Sequence, residues 1–390
     1  MRTMLTPQLA IAGRQIGGDA PCYVVAELGS NHDGRYATAL RLLDAAAEAG
    51  ADAVKLQLFR AASMYPRTCG VVPTPGGPAD FYALLRGLEL PESWVGGLWA
   101  EAKARGLALI CSVFDEATAN LASRVGVGAL KVASPELTHL PLLRHLAAQK
   151  ELPVLVSTGM ATPAEVQEAA GILGWGGTEP SRCVVLHCVS AYPAPPGECQ
   201  LGCLPLLRGL VGTPVGWSDH TVDPVAAPLV ARHCGAAVVE KHLTLDRTLA
   251  GPDHPYALEP REFARMVQAL RVYDSRAPEG RGAWLRRRLG AVTIGVLQGP
   301  GQKQPQPSEQ GLRRYDRRCL RAARAIAAGE LLAPTDVAIL RGERNLRPGL
   351  HPRELERVVG ARTVRPIGEG EGIVWGDLEG GETWLPGEED

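Results

Sequence analysis

The stretch AAVVEKHLTLD, residues 236–246, guides the interpretation of the whole chain. It begins with small and β-branched apolar residues, the composition of a strand that is buried on both faces. It then places three ionisable residues, Glu240, Lys241 and His242, at the end of that strand. Such a strand either leaves the core at this point or ends at a site where charge is used. The second interpretation predicts a functional site at the carboxyl end of the strand.

Seven other segments repeat this pattern of a short apolar strand, most of them followed by a helix-like segment. Together with 236–244 they are 22–29, 52–59, 107–114, 129–134, 153–159, 183–190 and 213–219. Eight strands that alternate with helices over about 250 residues predict a (β/α)₈ TIM barrel of the α/β class. An open doubly wound sheet is the competing architecture, but it explains the strand count less well, and no strand is followed by G-x-G-x-x-G.

The chain of 390 residues is longer than one ordinary core requires. We predict a barrel domain at 1–285 and a linker at 286–317, whose later part is polar and rich in Gly, Pro and Gln. A small β-rich unit follows at 318–382, in which the related patterns AIAAGE and PIGEGE occur. Because a module of this size has a modest core, we expect it to pack on a further surface.

Composition narrows the possible classes of function. Hydrophobic residues make up 45% of the chain and charged residues 21%, as in a globular protein. The net charge is −1, so no basic excess points to nucleic acid or to a membrane surface. No apolar run could span a bilayer, and the N-terminus lacks the apolar core of a signal peptide. With nine scattered Cys and no C-x-x-C pair, we expect a cytoplasmic protein with reduced thiols.

Chemistry in a TIM barrel gathers at the carboxyl ends of the strands, and every predicted strand here ends in polar side chains. These are Glu27, Lys55, Gln57, Ser112, Lys131, Ser134, Glu136, Ser157, Thr158, His187, Ser190, Ser218, Asp219, His220, Glu240 and His242. A single polar residue at a strand end commonly just meets solvent. Charged residues on so many converging ends instead indicate an active site.

Two of these residues suggest a metal ion. His220 and His242 follow the seventh and eighth strands, which are neighbours in a barrel. A lone histidine is more often a hydrogen-bonded core residue, but two imidazoles on adjacent strand ends can bind a divalent cation together with water or substrate. Lys55, Lys131 and the neighbouring Ser hydroxyls offer positive charge and donors to a phosphate or carboxylate.

Eight motifs in order along the chain resemble those of the sialic acid synthase family, the N-acylneuraminate synthases that condense phosphoenolpyruvate. They are VVAELGSNHDG (24–34), AVKLQLF (53–59), LKVASPE (130–136), STGM (157–160), HCVSAYPAP (187–195), WSDHT (217–221), EKHLTLDRT (240–248) and GPDH (251–254). The C-terminal unit resembles the antifreeze-like (SAF) module that ends those proteins. HCVSAYPAPP, GLHP and GIVWGDL are most similar to the synthases of spore coat polysaccharide clusters, and pseudaminic acid synthases are also close.

The resemblance implies condensation of phosphoenolpyruvate with the open-chain aldehyde of an N-acylated amino sugar such as N-acetylmannosamine. The products would be a nine-carbon 2-keto acid and phosphate, and a divalent metal (Mn²⁺, Mg²⁺ or Co²⁺) would sit on His220 and His242. The family's pattern places catalytic roles on Glu136, Lys55, Glu27 and Arg341, and substrate binding on Lys131, Ser134, Ser190, Ser218, Gln57, Tyr192 and Asp253. The resemblance also implies a domain-swapped homodimer in which Arg341, or Arg344 as a second candidate, reaches the sugar site of the partner.

Two positions depart from the neuraminate branch of the family. That branch typically has K-x-G-S-G-E where this chain has the sequence KVASPE (131–136), and it has Asn where this chain has Ser190. Both departures lie near the expected ligands. They therefore concern the identity of the sugar and not the type of reaction.

Three other functions stay open on the sequence alone. A metal-dependent aldol enzyme that forms a Schiff base with pyruvate would also need a lysine at a strand end. A phosphoenolpyruvate synthase of the shikimate type would share the barrel and the metal but would accept a sugar phosphate. A non-catalytic carbohydrate-binding protein of a polysaccharide pathway would have lost the ligands, whereas both His and both Lys are present here.

Overall fold

The structure, a computed structural model, describes residues 8–74, 77–174 and 182–381. Its strands are β1 (Gln8–Ile11), β2 (Arg14–Gly17), β3 (Tyr23–Gly29), β4 (Ala53–Leu58), β5 (Val71–Thr74), β6 (Gly77–Asp80), β7 (Ala108–Val113), β8 (Ala129–Val132), β9 (Val154–Ser157), β10 (Cys183–Cys188), β11 (Val215–Asp219), β12 (Val238–His242), β13 (Cys319–Ala322) and β14 (Val337–Leu340). Its α-helices are α1 (Tyr36–Glu48), α2 (Ala61–Met64), α3 (Phe81–Leu88), α4 (Glu92–Ala104), α5 (Glu116–Val125), α6 (Leu140–Ala148), α7 (Pro163–Leu173), α8 (Leu204–Val211), α9 (Ala226–His233), α10 (Pro260–Asp274), α11 (Pro278–Leu289), α12 (Ala291–Gln298), α13 (Gln310–Tyr315) and α14 (Leu355–Val358).

The chain forms two compact units. The first, called here the barrel unit, comprises the described residues up to Phe59 together with Leu88–Leu137 and Leu142–Gln310. The second comprises Arg60–Gly87, Thr138–Pro141 and the described residues from Gly311 onward. Within the described ranges, no helix combines the length and the apolar character needed to cross a membrane.

Eight parallel strands of the barrel unit close into a barrel. Their order is β3–β4–β7–β8–β9–β10–β11–β12, and β12 is hydrogen-bonded to β3. Helices connect successive strands, and α10 follows the last one. The predicted TIM barrel is therefore confirmed, and the strand ends that the sequence identified point to one end of it.

The interior of the barrel changes character along the strands. Near their amino ends the inward side chains are apolar and form one cluster, which includes Tyr23, Val25, Ala53, Ile110, Ala129, Leu155, Val184, Leu186 and Val238. The hairpin of β1 and β2 adds Ile11 and Ile16 to this cluster. Residues two apart on a strand share a face, so the next inward positions toward the carboxyl ends fall on the polar residues. An apolar core thus fills one end of the barrel, and charge collects at the other.

Local sequence signals fix where α7 begins and ends. Thr162 Oγ1 accepts a hydrogen bond from the Glu165 N–H, while the Glu165 carboxylate accepts one from the Thr162 N–H. Pro163 occupies the first turn, where its missing N–H has no intrahelical partner to lose. Gly174 ends the helix in a left-handed conformation that glycine adopts without strain. This helix sets the direction in which the chain leaves the loop after β9.

The second unit contains the predicted β-rich C-terminal module but extends beyond it. Leu320, Ile326, Val358, Ile367 and Ile373 form the centre of its small core. The segment Arg60–Gly87, which the sequence assigned to the barrel domain, also belongs to this unit. Hydrogen bonds explain why: the Arg318 guanidinium donates to the Ser63 carbonyl, and the Arg341 N–H donates to the Met64 carbonyl.

The predicted linker, 286–317, differs from a flexible connection. α11 and α12 occupy most of its first half. Further on, Lys303, Gln306 and Glu309 are buried within the barrel unit. This later part, from Gly299 to Arg317, lacks an apolar period because the groups that it buries are polar. Hydrogen bonds and charge hold it in place where a hydrophobic stripe would hold a helix.

Candidate active site

A connected group of buried charges lies on the inward faces of β3, β4, β8 and β12. Lys55 Nζ lies 2.6 Å from Glu240 Oε1 and 3.3 Å from Glu27 Oε2. Lys131 Nζ lies 3.7 Å from the same Glu240 oxygen. Each of these four side chains is nine-tenths or more buried. Two ammonium groups and two carboxylates therefore share a space with little water, where charges interact more strongly than in solvent.

Hydroxyl groups extend this cluster toward β9 and β11. Lys131 Nζ donates a hydrogen bond of 2.6 Å to Ser157 Oγ. Ser218 Oγ donates one of 2.8 Å to Glu240 Oε1. Glu240 is thus the hub of the cluster, since it accepts from a hydroxyl and pairs with both lysines.

Burial and charge give the ionisable groups distinct protonation states. Burial raises the pKa of Glu27 to about 7, although the Lys55 ammonium opposes the rise. Burial lowers the pKa of Lys131 to about 8, against the pull of the Glu240 carboxylate. Burial alone would raise the pKa of Glu240, but Lys131 and Lys55 outweigh it and hold that pKa below its usual range. Near neutral pH the site therefore combines a fixed carboxylate with a second carboxyl group that can take or give a proton.

His220 and His242 lie side by side, with ring centroids 5.7 Å apart. His220 Nδ1 lies 2.7 Å from the Val189 carbonyl oxygen, to which it can donate, and this tautomer leaves the Nε2 lone pair for a ligand. His242 Nδ1 is buried and has no hydrogen-bond partner in the described part of the chain. The described residues contain no group of three or more His, Cys, Asp or Glu side chains arranged for a metal ion. The two imidazoles therefore stand as a pair, without a third side chain of these types in a metal-binding arrangement within the described residues.

Aromatic rings and a carboxylate flank the histidines. The Tyr192 ring lies 4.2 Å from the His220 ring and 5.1 Å from the Tyr256 ring. Tyr256 donates from its hydroxyl to Asp253 Oδ1 at 2.7 Å. The backbone N–H and the hydroxyl of Ser30 both donate to Asp253 Oδ2 at 3.1 Å. Tyr192 is 50% exposed, so part of this residue is accessible to a ligand that enters from solvent.

A second polar concavity is formed by Ser134, Gly159 and Ser190, and we call it the hydroxyl cradle. The Gly159 N–H donates to Ser134 Oγ at 2.9 Å. A Cβ atom added at Gly159 would lie 2.2 Å from Ser190 Oγ and 2.8 Å from Ser134 Oγ, so the two hydroxyls converge on this point. Ser190 Oγ is buried and has no hydrogen-bond partner among the described residues. A buried hydroxyl without a partner is a feature that a bound polar ligand would satisfy.

Of the remaining predicted residues, two lie in the barrel unit and two in the second unit. Gln57 Nε2 donates to Glu27 Oε1 at 2.7 Å, which adds it to the charged cluster. Glu136 is fully buried in the short turn after β8. Arg341 belongs to the second unit, where its guanidinium lies 3.3 Å from Asp316 and is buried. Arg344, the second candidate in that unit, is exposed.

Strand alternation shows which strand-end residues the sequence misplaced or missed. His187 faces away from the barrel interior: its Nε2 lies 2.8 Å from the Cys199 carbonyl oxygen, and its ring packs on Trp217. Its neighbour Cys188 faces inward instead, with Sγ 3.7 Å from His220 Nδ1. Glu240 was recognised as a strand-end residue but not as the hub. Counting inward positions in steps of two would have found both Cys188 and Glu240.

The same alternation explains the three ionisable residues that end β12. Glu240 and His242 point into the site, whereas Lys241 points outward. There Lys241 Nζ lies 2.9 Å from Asp219 Oδ2 and donates to Thr221. Its charge is therefore neutralised outside the barrel, and only its two neighbours contribute to the site.

Comparison with known proteins identifies relatives of both parts of the chain. Residues 42–281 match the NeuB family, and residues 317–379 match the SAF domain. The chain is 35% identical to the spore coat polysaccharide biosynthesis protein SpsE of Bacillus subtilis, over 94% of this chain and 96% of that protein. The crystal structure of that protein covers 95% of this chain and 99% of its own, with a TM-score of 0.79. The chain is also 32% identical to the N,N'-diacetyllegionaminic acid synthase of Legionella pneumophila, over 93% and 96% of the two chains.

Proposed function

Because the chain belongs to the NeuB family, we propose that it condenses phosphoenolpyruvate with the open-chain aldehyde of an N-acylated amino sugar. The products are a nine-carbon 2-keto acid of the sialic acid type and inorganic phosphate. One observation carries the proposal: two buried ammonium groups, the hydroxyl cradle and a pair of imidazoles meet at one end of the barrel. This set matches an anionic enol and a carbonyl compound that must be held side by side.

The enol substrate carries a phosphate and a carboxylate, which need positive charge and hydrogen-bond donors. Lys55 and Lys131 supply the charge. Ser134 and Ser190 in the hydroxyl cradle, together with Ser218, supply hydroxyl groups. In the free protein the two lysines are neutralised by Glu240 and Glu27, so the anion enters a site whose cations are already held in position.

The sugar is assigned to the other half of the site. Gln57, Tyr192 and Asp253 offer an amide, an aromatic ring and a carboxylate to its hydroxyl and acylamino groups. His220 and His242 would hold a divalent cation, which when bound supplies Lewis acidity to the aldehyde carbonyl. Nδ1 of His242 has no hydrogen-bond partner among the described residues, and the tautomer of His220 that donates to Val189 leaves its Nε2 lone pair for the cation.

The reaction then balances as follows. C3 of phosphoenolpyruvate forms a bond to the aldehyde carbon, the aldehyde oxygen takes up a proton to become a hydroxyl group, and C2 becomes electron-deficient. Water adds to C2. One of its protons replaces the one taken by the aldehyde oxygen, and the other leaves with phosphate as the carbonyl group forms at C2.

Two carboxyl groups are available for these proton transfers. Glu27, with a pKa of about 7, can carry a proton to the aldehyde oxygen near neutral pH. Glu136 is assigned to the water that adds at C2, which it would orient or deprotonate. Glu240 is less suited to either step, because its two ammonium neighbours keep it ionised.

A second candidate function follows from Lys131, which is buried and has a pKa of about 8. A buried lysine of lowered pKa is the nucleophile of enzymes that form a Schiff base with pyruvate. Such an enzyme would be trapped by borohydride in the presence of pyruvate. The proposed synthase would instead release phosphate from phosphoenolpyruvate and would not be trapped.

The deciding experiment is a phosphate-release assay on the purified full-length protein. Phosphoenolpyruvate is offered with N-acetylmannosamine, with related acylamino sugars and with erythrose phosphate, each with and without Mn²⁺. We expect release with an acylamino sugar and Mn²⁺, and at least a tenfold loss of kcat/KM for phosphoenolpyruvate in Lys55→Met. Lys150→Met is the matched control, because it removes an exposed lysine charge outside the site. Release only with erythrose phosphate, or borohydride trapping with pyruvate, would overturn the proposal.

A further inference from the structure

A carboxylate from the segment after α12 reaches the loops that surround the candidate site. Glu309 ends the short turn Pro307–Glu309, and its side chain is fully buried within the barrel unit. Glu309 Oε1 accepts hydrogen bonds from the backbone N–H groups of Met160 and Ser190, both at 2.7 Å. Its Oε2 accepts from the Gln306 N–H at 2.8 Å. One side chain thus joins the loop after β9, the loop after β10 and its own segment.

The two amide groups that Glu309 holds are adjacent to the hydroxyl cradle. Met160 directly follows Gly159, and the Ser190 N–H belongs to the residue whose Oγ lacks a partner in the described chain. Met160 has a φ of 61°, in the left-handed region that a side chain other than glycine rarely adopts. The hydrogen bond to Glu309 helps to keep the backbone there. The position of the cradle therefore depends on a residue that lies about 120 to 150 positions further along the chain.

A buried lysine accompanies this carboxylate. Lys303 is 3% exposed, and its Nζ has no hydrogen-bond partner in the described part of the chain. Burial lowers the pKa of Lys303, and the Glu309 carboxylate is the largest charge that opposes this effect. The segment that contains both residues therefore carries an anion, Glu309, that binds the loops and a cation, Lys303, that compensates its charge. On the solvent side, Ser308 donates from its N–H and its hydroxyl to Glu198.

We propose that Glu309 is a positioning residue that sets the spacing of the hydroxyl cradle and thereby the affinity for the phosphate group of phosphoenolpyruvate. This inference rests on the proposed function, because it takes the cradle as the phosphate-binding part of the site. Glu309 binds the backbone N–H groups of the two loops, so that the hydroxyl of Ser190 can turn toward the ligand. The role belongs to a segment whose sequence resembles a linker.

Glu309→Gln keeps the shape of the side chain but changes one acceptor into a donor. Its carbonyl oxygen can still accept from Met160 and Ser190, but its amide group then faces the Gln306 N–H, which is also a donor. Either orientation of the amide leaves a buried N–H without an acceptor and loosens the attachment. Glu309→Asp is the second variant: it keeps the charge but is one methylene too short to reach both loops.

The test measures binding of phosphoenolpyruvate alone, by titration calorimetry on the full chain in Mn²⁺ buffer. We expect the Kd to rise about tenfold in Glu309→Gln, the effect of losing one hydrogen bond to a charged group. In turnover, the KM for phosphoenolpyruvate should rise while the KM for the sugar stays within twofold. Amide hydrogen exchange at Met160 and Ser190 should become faster, which a general loss of stability at distant helices would not reproduce.

Glu198→Gln is the matched control, because it neutralises a carboxylate of the turn Pro196–Glu198 that binds Ser308 on the solvent side of the same segment. It should bind phosphoenolpyruvate as the wild-type chain does. Equal affinities for phosphoenolpyruvate in Glu309→Gln, Glu309→Asp and wild type would overturn this inference but not the proposed function. If the wild-type chain does not bind phosphoenolpyruvate, both the proposed function and this inference are overturned. If Glu309→Gln does not fold, the comparison of Glu309→Asp with Glu198→Gln decides.

Discussion

The substitution Gly159→Ala places a single methyl group at the centre of the hydroxyl cradle. The new Cβ would lie 2.2 Å from Ser190 Oγ and 2.8 Å from Ser134 Oγ, whereas ordinary contacts are 3.4–4 Å. The Ser190 hydroxyl must therefore move by more than 1 Å, or rotate to another rotamer, and the Ser134 hydroxyl must shift as well. The backbone itself can accept alanine, since Gly159 is not among the glycines with positive φ. The perturbation is thus confined to the cradle.

A displacement of about 1 Å in a group that positions substrate can lower kcat/KM by roughly a hundredfold. For Gly159→Ala we expect a loss of this order in kcat/KM for phosphoenolpyruvate, mainly through a higher KM. The KM for the sugar should change little, because the three atoms nearest to the added Cβ belong to Ser190 and Ser134 and not to Tyr192 or Asp253. The phosphate-release assay, run with each substrate varied in turn, separates the two effects.

Gly171→Ala is the control for this substitution. Gly171 lies inside α7, and a Cβ added there meets no atom within 4 Å. Alanine in a helix is more stable than glycine by about 0.5–1 kcal/mol, so this variant should keep full activity and unfold at a slightly higher temperature. A folded Gly159→Ala protein whose KM for phosphoenolpyruvate stays within twofold of wild type would show that the cradle does not hold this substrate.

Three further predictions address the metal, the charge and the assembly. His220→Ala and His242→Ala should each abolish phosphate release and lower the bound Mn²⁺ found by elemental analysis, while the barrel stays folded. If either variant keeps a near-normal turnover rate in metal-depleted buffer, the metal prediction is wrong. The kcat/KM for phosphoenolpyruvate should fall as pH rises through about 8, because Lys131 then loses its proton, and the fall should be absent in Lys131→Arg. In a swapped dimer, mixing inactive His242→Ala chains with inactive Arg341→Ala or Arg344→Ala chains should restore part of the activity; no rescue after proven subunit exchange would count against that assembly.

The fold could be predicted because its signals are local and repeated. Each barrel strand is a short apolar run, and the eight runs recur with helices between them. The boundary between the two units could not be predicted in the same way. The segment Arg60–Gly87 joins the second unit through contacts such as Arg318 with Ser63, which link residues 255 positions apart. Neither residue of such a contact lies in a sequence pattern that would identify the other residue.

The candidate site was predictable where alternation along one strand decides it, as for Lys55 with Gln57. The pairing between strands was not, because it depends on the register of the closed barrel. Lys55 reaches Glu240 because β4 and β12 both pair with β3, and strand order alone leaves those distances open. The inward face of Cys188 and the outward face of His187, by contrast, follow from alternation along β10 alone. The charged cluster therefore forms only when the barrel closes and brings these strands together. Interpreting the strands one at a time does not reveal it.

Glu309 escaped prediction for a different reason. The sequence around Glu309 is rich in Gln, Pro and Ser, which indicates a solvated linker. Composition does not reveal that a carboxylate in such a segment is buried and bound by backbone amides. Burying that charge is tolerable because three N–H groups bind it and Lys303 lies within the same segment. The next residue, Gln310, is the last of the barrel unit. The same carboxylate thus holds both the loops of the cradle and the end of its own segment in the barrel unit. We therefore expect a substitution that displaces either of them to lower the affinity for phosphoenolpyruvate.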